Sequence, residues 1–522
     1  MSEEAIDLVG QGVLLRPHGP VATQPFLDAL ARVRPGGVIL FADNIVAPSQ
    51  LHELVGALQR HAAALGLPPL LVAIDQEGGI VSRLPEPWVT VPSQMAQGAT
   101  GDPESARICA GITGRQLRAM GITVNLAPVL DVNSDPRNPV IGTRAFGDDP
   151  ALVSRFGVAA VAGYRDAGVI ATAKHFPGHG DTAVDSHIGL PVVRKDRGRL
   201  DAEELAPFVA AIAAGIPAIM TSHILFPALD GAQPATLSRR ILTDLLRGEM
   251  GFAGLIMTDA LEMRAIADRF GLAESACLAK AAGADIVMPL GSLEEQIAMA
   301  AALQNAAQRG AIAAEEIVAT ARRMDQVRTT FSLSHELPPL SPPDPTLADE
   351  ALSVARRGLT VRNDGMLPLA RETRLALIDC SQARWSAVEE VQVATARSDV
   401  LRDLLLAAFP RATALAVPSD PSSDLIAEVG GLAGRSDMVV LVTRDALGQE
   451  GPERVGQALT ALGRPVIHVA LRGPYDATDF PNATATVQTY GDPPVSIRAL
   501  VSTLAGTMAS DRGPSGTEHP PT

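Results

Sequence analysis

The feature that most constrains the fold of this chain is an alternation of short apolar runs with longer amphipathic segments. Between eight apolar runs, residues recur at helical spacing, as in AEELAPFVAAIAAG. The eight runs lie at residues 8–15, 37–41, 70–75, 123–132, 169–176, 218–224, 254–261 and 284–289. Strands that alternate with helices pair in parallel, and this number of strands predicts a closed (β/α)8 barrel. An open doubly wound sheet is the competing arrangement, but the first run lacks a glycine-rich phosphate turn.

A proline-rich stretch, HELPPLSPPDP, ends this pattern at residues 335–345. Proline cannot continue a helix, so the stretch predicts an extended linker. Five further apolar runs follow, among them DMVVLVT and PVIHVAL, and they alternate with helical stretches. The chain is therefore expected to contain two domains, a linker and a disordered tail. Their expected bounds are 1–334 for the barrel, 335–346 for the linker, 347–509 for a smaller αβα sandwich and 510–522 for the tail.

Charge and cysteine content narrow the class of protein. The 58 acidic and 43 basic residues give a net charge of -15, which argues against nucleic acid or an anionic membrane as partner. No run reaches the roughly 18 uninterrupted apolar residues of a membrane span. The cysteines, Cys109, Cys277 and Cys380, are few, odd in number and far apart, so neither a disulfide framework nor a cysteine-based zinc site is expected. We expect a cytoplasmic protein that handles small neutral molecules, and no pattern fixes its oligomeric state.

Ionisable residues stand at the ends of four predicted strands: Asp75, Lys174 with His175, His223 and Asp259. In a parallel barrel this end of the strands faces the active site. A buried charge costs free energy unless it is paired, so each residue is either part of a structural ion pair or functional. Asp259 follows a wholly apolar run, and its carboxylate there would act as a nucleophile or would fix a loop.

The segment KHFPGHGDTAVDSH, residues 174–187, carries three of the ten histidines of the chain. Asp185 and His187 stand two apart, and in an extended loop such residues point to one side, so the carboxylate would orient the imidazole as a general acid/base. Pro177, Gly178 and Gly180 predict a bendable loop that brings this pair to a pocket. The alternative is a histidine-rich loop that only caps the barrel.

A metal site is a second alternative for the same segment. His175, His179, Asp181 and His187 would be its ligands, but their spacing matches no compact zinc signature and no cysteine lies among them. The chain also contains no GxxxxGK phosphate loop. We therefore expect neither a metal nor an organic cofactor.

Four segments together resemble glycoside hydrolase family 3, in particular the two-domain form of its bacterial β-N-acetylglucosaminidase (β-hexosaminidase) branch. They are AIDQEGGIVSRLP, NPVIGTRAFGDDP, KHFPGHGDTAVDSH and IMTDALEM, at residues 73–85, 138–150, 174–187 and 256–263. The likeness covers most of the first 330 residues. It implies a retaining exo-β-N-acetylglucosaminidase that removes terminal sugars from small substrates such as peptidoglycan fragments.

The resemblance also implies a role for each residue that matches the motifs. Asp259 would be the nucleophile that forms a covalent glycosyl-enzyme, and His187 the acid/base with Asp185 as its partner. Five residues would hold the sugar: Asp75, Arg83, Arg144, Lys174 and His175. The second domain would not be expected to supply catalytic residues.

Two other functions stay open on the sequence. A histidine acid/base, unlike a second carboxylate, does not repel an anionic acceptor, so a β-N-acetylglucosaminide phosphorylase that uses inorganic phosphate is the alternative. A non-catalytic sugar-binding protein built on a decayed barrel is the other. It is disfavoured because every expected catalytic position is filled.

Overall fold

A computed structural model of the chain describes residues 8–182, 189–363, 365–381 and 397–506. Their contacts divide the chain into two compact units, with the division between Asp344 and Pro345. Among the described residues, no helix is both long enough and apolar enough to span a bilayer.

The first unit is a barrel of eight parallel strands in sequential order. A parallel bridge between Val13 and Val287 joins the first and last strands and completes the ring. The strands are β1 Leu14–Leu15, β2 Gly37–Leu40, β3 Leu71–Ile74, β4 Val124–Asn125, β5 Ile170–Phe176, β6 Ala218–Thr221, β7 Leu255–Ala260 and β8 Ile286–Met288. All eight predicted strands are present, and the expected closed barrel is confirmed.

Helices surround this barrel. The α-helices of eight residues or more are Gln24–Val33, Pro48–Ala64, Glu104–Ala119, Pro150–Asp166, Ala206–Ala213, Leu272–Ala282, Leu293–Gln308 and Ala314–Thr330. Shorter α-helices are Gln94–Ala99, Arg197–Ala202 and Arg264–Phe270, and a π-helix spans Arg240–Glu249. Short 3-10 helices are Val9–Gly12, Ala42–Asn44, Gly142–Arg144 and Ala235–Leu237.

Successive side chains along each strand point to opposite faces, so the strands contribute to two hydrophobic cores. On β3, Leu71 and Ala73 belong to the cluster inside the barrel, whereas Val72 and Ile74 belong to the cluster between the barrel and its helices. Burial on both faces explains why the strands read as continuous apolar runs. The inside cluster fills the barrel, so a ligand site is left only at its ends.

All eight predicted strands are shorter in the structure than in the sequence, and two of them are much shorter. The run at 123–132 pairs as a strand only over Val124–Asn125, because Pro128 has no N–H to donate to a ladder. The run at 8–15 begins with the 3-10 helix Val9–Gly12. There a Cβ on Gly10 would lie 2.0 Å from the Val33 carbonyl oxygen, so this segment is shaped by close backbone approach.

The second unit contains a six-stranded sheet in the order β11-β10-β12-β13-β14-β9. Its strands are β9 Thr360–Asn363, β10 Leu375–Asp379, β11 Thr413–Ala416, β12 Met438–Thr443, β13 Val466–Ala470 and β14 Ala485–Gln488. The helices are Thr346–Arg357, Arg397–Ala408, Ser423–Gly434, Glu450–Ala461 and Pro494–Ala505, with a 3-10 helix at Pro474–Thr478. The expected α/β sandwich is confirmed. The sequence analysis missed β9, an antiparallel edge strand whose residues TVRN form no apolar run.

Candidate active site

A cavity of about 440 Å³ lies at the carboxyl ends of the barrel strands. Three of its lining residues come from different strands or from the residue directly after one: Asp75 from β3, Lys174 from β5 and Asp259 from β7. (β/α)8 barrels carry their active sites at this end. The fold therefore brings together charged residues that are up to 184 positions apart in the sequence.

Most of the predicted site residues line this cavity. They are Asp75, Arg83, Arg144, Lys174, His175 and Asp259. The other two, Asp185 and His187, lie outside the described residues. His223, a further strand-end candidate, is buried, and its ring nitrogens lie 2.8 Å from Thr236 Oγ1 and 2.9 Å from the Ala260 carbonyl oxygen.

Lys174 is held between two carboxylates. Its Nζ atom lies 2.6 Å from Asp75 Oδ1 and 2.7 Å from Glu77 Oε1. The side chains of Lys174 and Glu77 are each 2% exposed, whereas that of Asp75 is 18% exposed and faces the cavity. Burial lowers the pKa of Lys174, but the two carboxylates outweigh this effect and raise it. Lys174 is therefore a fixed positive charge in the cavity wall.

Arg144 forms a fork with the same glutamate. Its Nε and Nη2 atoms donate to the two oxygens of Glu77 at 2.9 and 2.8 Å, the bidentate geometry that guanidinium and carboxylate favour. Burial raises the pKa of Glu77, but Arg144 and Lys174 together hold it well below its usual range. One buried carboxylate thus fixes two cations in the wall.

His175 is oriented from behind by Asp131. Its Nδ1 lies 2.7 Å from Asp131 Oδ2, and its Nε2 lies 3.4 Å from Arg144 Nη2. Because a guanidinium can only donate, these partners fit a ring that carries its proton on Nδ1. Burial raises the pKa of Asp131, but His175 outweighs this effect and lowers it.

Arg83 follows a tight turn after β3. The Gln76 side chain fixes this turn, since its Oε1 accepts the N–H groups of Arg83 at 2.7 Å and Leu84 at 3.2 Å. Gly79 has a φ of 59°, and a Cβ there would lie 2.7 Å from the Ser93 Cβ. This explains why the motif contains glycine at that point.

Asp259 lies near the end of β7, where burial decreases. Thr258 is fully buried, whereas Asp259 and Ala260 are half-buried and line the cavity. The Ala260 N–H donates to Asp259 Oδ1 at 2.7 Å. The Asp259 carboxylate thus lies near the end of an apolar strand, where the N–H of the next residue binds it.

The glycines of the segment after β5 are packed. A Cβ on Gly178 would lie 2.8 Å from the Glu204 Cβ, and one on Gly180 would lie 1.6 Å from the Val132 carbonyl oxygen. In the described part of the loop these glycines permit close packing. The bendable loop stays a prediction.

Among the described residues, no group of three or more His, Cys, Asp or Glu side chains is placed to hold a metal ion. His175 and His179 lie close together, with ring centroids 5.7 Å apart, but they are engaged otherwise. The His175 Nδ1 contacts Asp131, and the His179 Nδ1 lies 3.0 Å from Thr182 Oγ1.

Two residues that organise the site, Glu77 and Asp131, are not among those predicted from the sequence. Glu77 stands two positions after Asp75 in the DQEGG motif. It lies beyond the end of the predicted strand, and the strand end predicts only Asp75 as a site residue. Asp131 lies inside the run that is predicted as the fourth strand. It stands near the end of an apolar run, as Asp259 does. The rule for strand ends therefore also predicts Asp131, whereas Glu77 lies beyond the position that this rule covers.

Comparison with known proteins gives consistent matches. The family described as the glycosyl hydrolase family 3 N-terminal domain matches residues 23–327. β-Hexosaminidase A of Pseudoalteromonas piscicida is 33% identical over 510 residues, which are 89% of this chain and 84% of that protein. A β-hexosaminidase of Alkalilimnicola ehrlichii is 40% identical over 265 residues, which are 50% of this chain and 74% of that protein.

A solved structure is similar over nearly the whole chain. It is a glycoside hydrolase family 3 β-N-acetylglucosaminidase from Paenibacillus sp., with a TM-score of 0.90 and 36% sequence identity. The match covers 98% of this chain and 97% of that one. The likeness therefore includes both compact units.

Proposed function

This chain belongs to glycoside hydrolase family 3, and we propose that it is a retaining exo-β-N-acetylglucosaminidase. It is an enzyme that hydrolyses glycosides, as its relatives are named β-hexosaminidases. The proposal concerns the finer points: the residues that perform the reaction, its stereochemistry and its substrate.

The observation that carries the proposal is the placement of Asp259 among the cavity carboxylates. Asp75 and Glu77 are paired with Lys174, and Glu77 is also paired with Arg144. Asp259 lies at the barrel mouth with its carboxylate held by the Ala260 N–H, which supports its role as the nucleophile.

In the proposed reaction, an oxygen of Asp259 attacks the anomeric carbon and the bond to the leaving sugar oxygen breaks. His187 gives that oxygen its proton and later removes a proton from the incoming water, with Asp185 as its partner. Water then attacks the anomeric carbon and releases the carboxylate. Two inversions give net retention. The acid/base pair is proposed from the sequence alone, since both residues lie outside the described part of the chain.

Five residues are proposed to hold the sugar: Asp75, Arg83, Arg144, Lys174 and His175. Four of them are charged, the fifth, His175, is paired with Asp131, and all line the cavity. A sugar that fails to pair with such groups leaves a buried polar group unsatisfied, which is how a site rejects the wrong epimer. The ion pairs with Glu77 hold Lys174 and Arg144 in place before the sugar arrives.

We further propose that the substrates are small β-linked N-acetylglucosaminides such as peptidoglycan fragments. The relatives above are named as hexosaminidases and as an acetylglucosaminidase, which supports hydrolysis rather than transfer to phosphate. None of the three cysteines forms a disulfide bond, and Cys109 and Cys380 are buried, which supports a reducing compartment such as the cytoplasm.

The experiment that tests this proposal is to trap the covalent intermediate. A fluorinated β-N-acetylglucosaminyl fluoride forms the glycosyl-enzyme faster than water cleaves it, and the labelled peptide is identified by mass spectrometry. The label should fall on Asp259. Asp259→Ala should fold normally, take no label and lose at least about a thousandfold in kcat, or ~4 kcal/mol. A label on another carboxylate, or turnover by folded Asp259→Ala at the wild-type rate, would overturn the assignment.

A further inference from the structure

One hydrogen bond reaches the end of β7 from the neighbouring strand β6. His223 follows β6 and is 1% exposed. Its Nε2 lies 2.9 Å from the carbonyl oxygen of Ala260. Because a carbonyl can only accept, Nε2 carries the proton of this bond. The N–H of the same Ala260 donates to Asp259 Oδ1. His223 therefore fixes Ala260, and Ala260 in turn binds the Asp259 carboxylate.

Buried hydroxyls fix the orientation of this imidazole. His223 Nδ1 lies 2.8 Å from Thr236 Oγ1, and Thr236 is fully buried. Thr236 Oγ1 also lies 2.8 Å from Thr221 Oγ1 and 2.8 Å from the Ser222 carbonyl oxygen. The ring cannot swing away from Ala260 without breaking this network, and broken buried hydrogen bonds cost free energy.

A second contact reaches the same region from the other neighbour, β8. Glu262 stands three residues after Asp259, and its Oε1 accepts the N–H groups of Leu290 at 2.5 Å and Gly291 at 2.9 Å. These bonds fasten the loop after β7 to the loop after β8. The β7 end is therefore held on both sides, by His223 and by Glu262.

The other oxygen of Glu262 argues that this contact is not kept for stability. Oε2 is buried and has no hydrogen-bond partner among the described residues. Burial raises the pKa of Glu262, as expected for a carboxylate that is poorly solvated. A buried polar atom without a partner destabilises a protein. We therefore attribute the position of this side chain to the geometry that it imposes on the two loops.

We propose that His223 and Glu262 are positioning residues that clamp the nucleophile strand from both sides and so fix the Asp259 carboxylate for attack. This inference rests on the proposed role of Asp259. Neither residue needs to touch the reacting atoms. Their effect is on the placement of the carboxylate, and displacement of a reacting group by about 1 Å costs on the order of a hundredfold in rate.

The experiment compares leucine and glutamine at each position, because glutamine can reproduce the bond and leucine cannot. The side chain of His223→Gln can still donate to the Ala260 carbonyl, and that of Glu262→Gln can still accept from Leu290 and Gly291. We expect kcat to fall about a hundredfold in His223→Leu and Glu262→Leu, with KM and the Kd for N-acetylglucosamine within about twofold of wild type. The glutamine variants should recover most of this loss.

Matched controls separate positioning from general damage. His61 Nε2 also contacts a backbone carbonyl, that of Leu27, at 3.1 Å, and Glu294 is exposed near the β8 loop. His61→Leu and Glu294→Leu should leave kcat at the wild-type value. Where a leucine variant does not fold, Thr236→Val, which removes the second partner of the His223 ring, and Glu262→Met serve instead, with the same selective loss of kcat expected.

The outcomes distinguish this inference from the proposed function. If Asp259→Ala keeps wild-type turnover, the proposed function fails, and the clamp has no nucleophile to hold. If Asp259→Ala is inactive but the folded leucine variants keep wild-type kcat, the clamp alone is overturned. A rise in KM with unchanged kcat, or glutamine variants as slow as the leucine variants, would also overturn the clamp.

Discussion

Glu77 and Lys174 form a buried ion pair that joins the turn after β3 to β5, with 2.7 Å between Oε1 and Nζ. Both side chains are 2% exposed. Glu77 also pairs with Arg144, so a single carboxylate orders the two cations that we propose as sugar ligands. The wall of the cavity is therefore organised before any ligand enters.

Replacing Glu77 by glutamine should disrupt this order. The change keeps the shape but leaves Lys174 and Arg144 without the charge that compensates their burial, and breaking such a pair costs roughly 3–5 kcal/mol. We expect faster hydrogen exchange at the β3 and β5 amides and a KM raised about tenfold or more. Glu104→Gln removes one of the two exposed partners of Arg107 and should change neither quantity. Exchange rates equal to wild type in Glu77→Gln would contradict this account of the wall.

Removing the proposed acid/base should depend on the leaving group. His187→Ala and Asp185→Ala should each lower kcat/KM by about 10² to 10⁴ on substrates with a sugar leaving group, which needs a proton. On a 4-nitrophenyl substrate, whose leaving group departs as an anion, the loss in the first step should be much smaller. A series of leaving groups measures this difference. An equal loss across the series would exclude a proton-donating role for His187.

Stability should fall between pH 6.5 and pH 4 because of His179. Burial and the neighbouring His175 lower the pKa of His179 from 6.5 to about 4. Within this interval the unfolded chain binds a proton that the folded barrel does not, so the contribution is fully present above pH 6.5 and is lost as the pH falls. The loss amounts to about 3 kcal/mol. Hydrogen exchange of the barrel amides, compared at pH 6.5 and pH 4.5, measures this loss of stability.

The variant His179→Asn should remove most of this pH dependence. Thr182→Val provides the control, since it removes the hydroxyl 3.0 Å from His179 Nδ1 but keeps the titrating ring. It should lower stability by a similar amount at both pH values and leave the slope intact. A slope unchanged in His179→Asn would assign the pH dependence to another group.

The barrel was predictable because it depends on a repeated local signal. Each strand is buried on both faces and therefore reads as an apolar run, and the residue at its end is placed by topology. The strand ends alone therefore predict that Asp75, Lys174 and Asp259 lie together, before any contact between them is known. The rule works wherever a side chain continues directly from a strand.

The detailed arrangement of the site depends on contacts between segments that are distant in the sequence. The sequence does not show that Glu77 pairs with Arg144, 67 positions away, or that His223 bonds the carbonyl after Asp259. The sequence shows that residues 178 and 180 are glycines, but not that Glu204 and Val132 pack against them. Strand β9 was missed because an edge strand needs no apolar run.

The most direct test of the account is the anomeric configuration of the first product, followed by proton NMR in matched buffers with and without inorganic phosphate. A 4-nitrophenyl β-N-acetylglucosaminide is the substrate. The account predicts that free N-acetylglucosamine appears first as the β-anomer in both buffers, as expected for a covalent intermediate on Asp259 that water cleaves. The α-anomer as first product would contradict retention, and N-acetylglucosamine 1-phosphate formed only in the phosphate buffer would contradict hydrolysis.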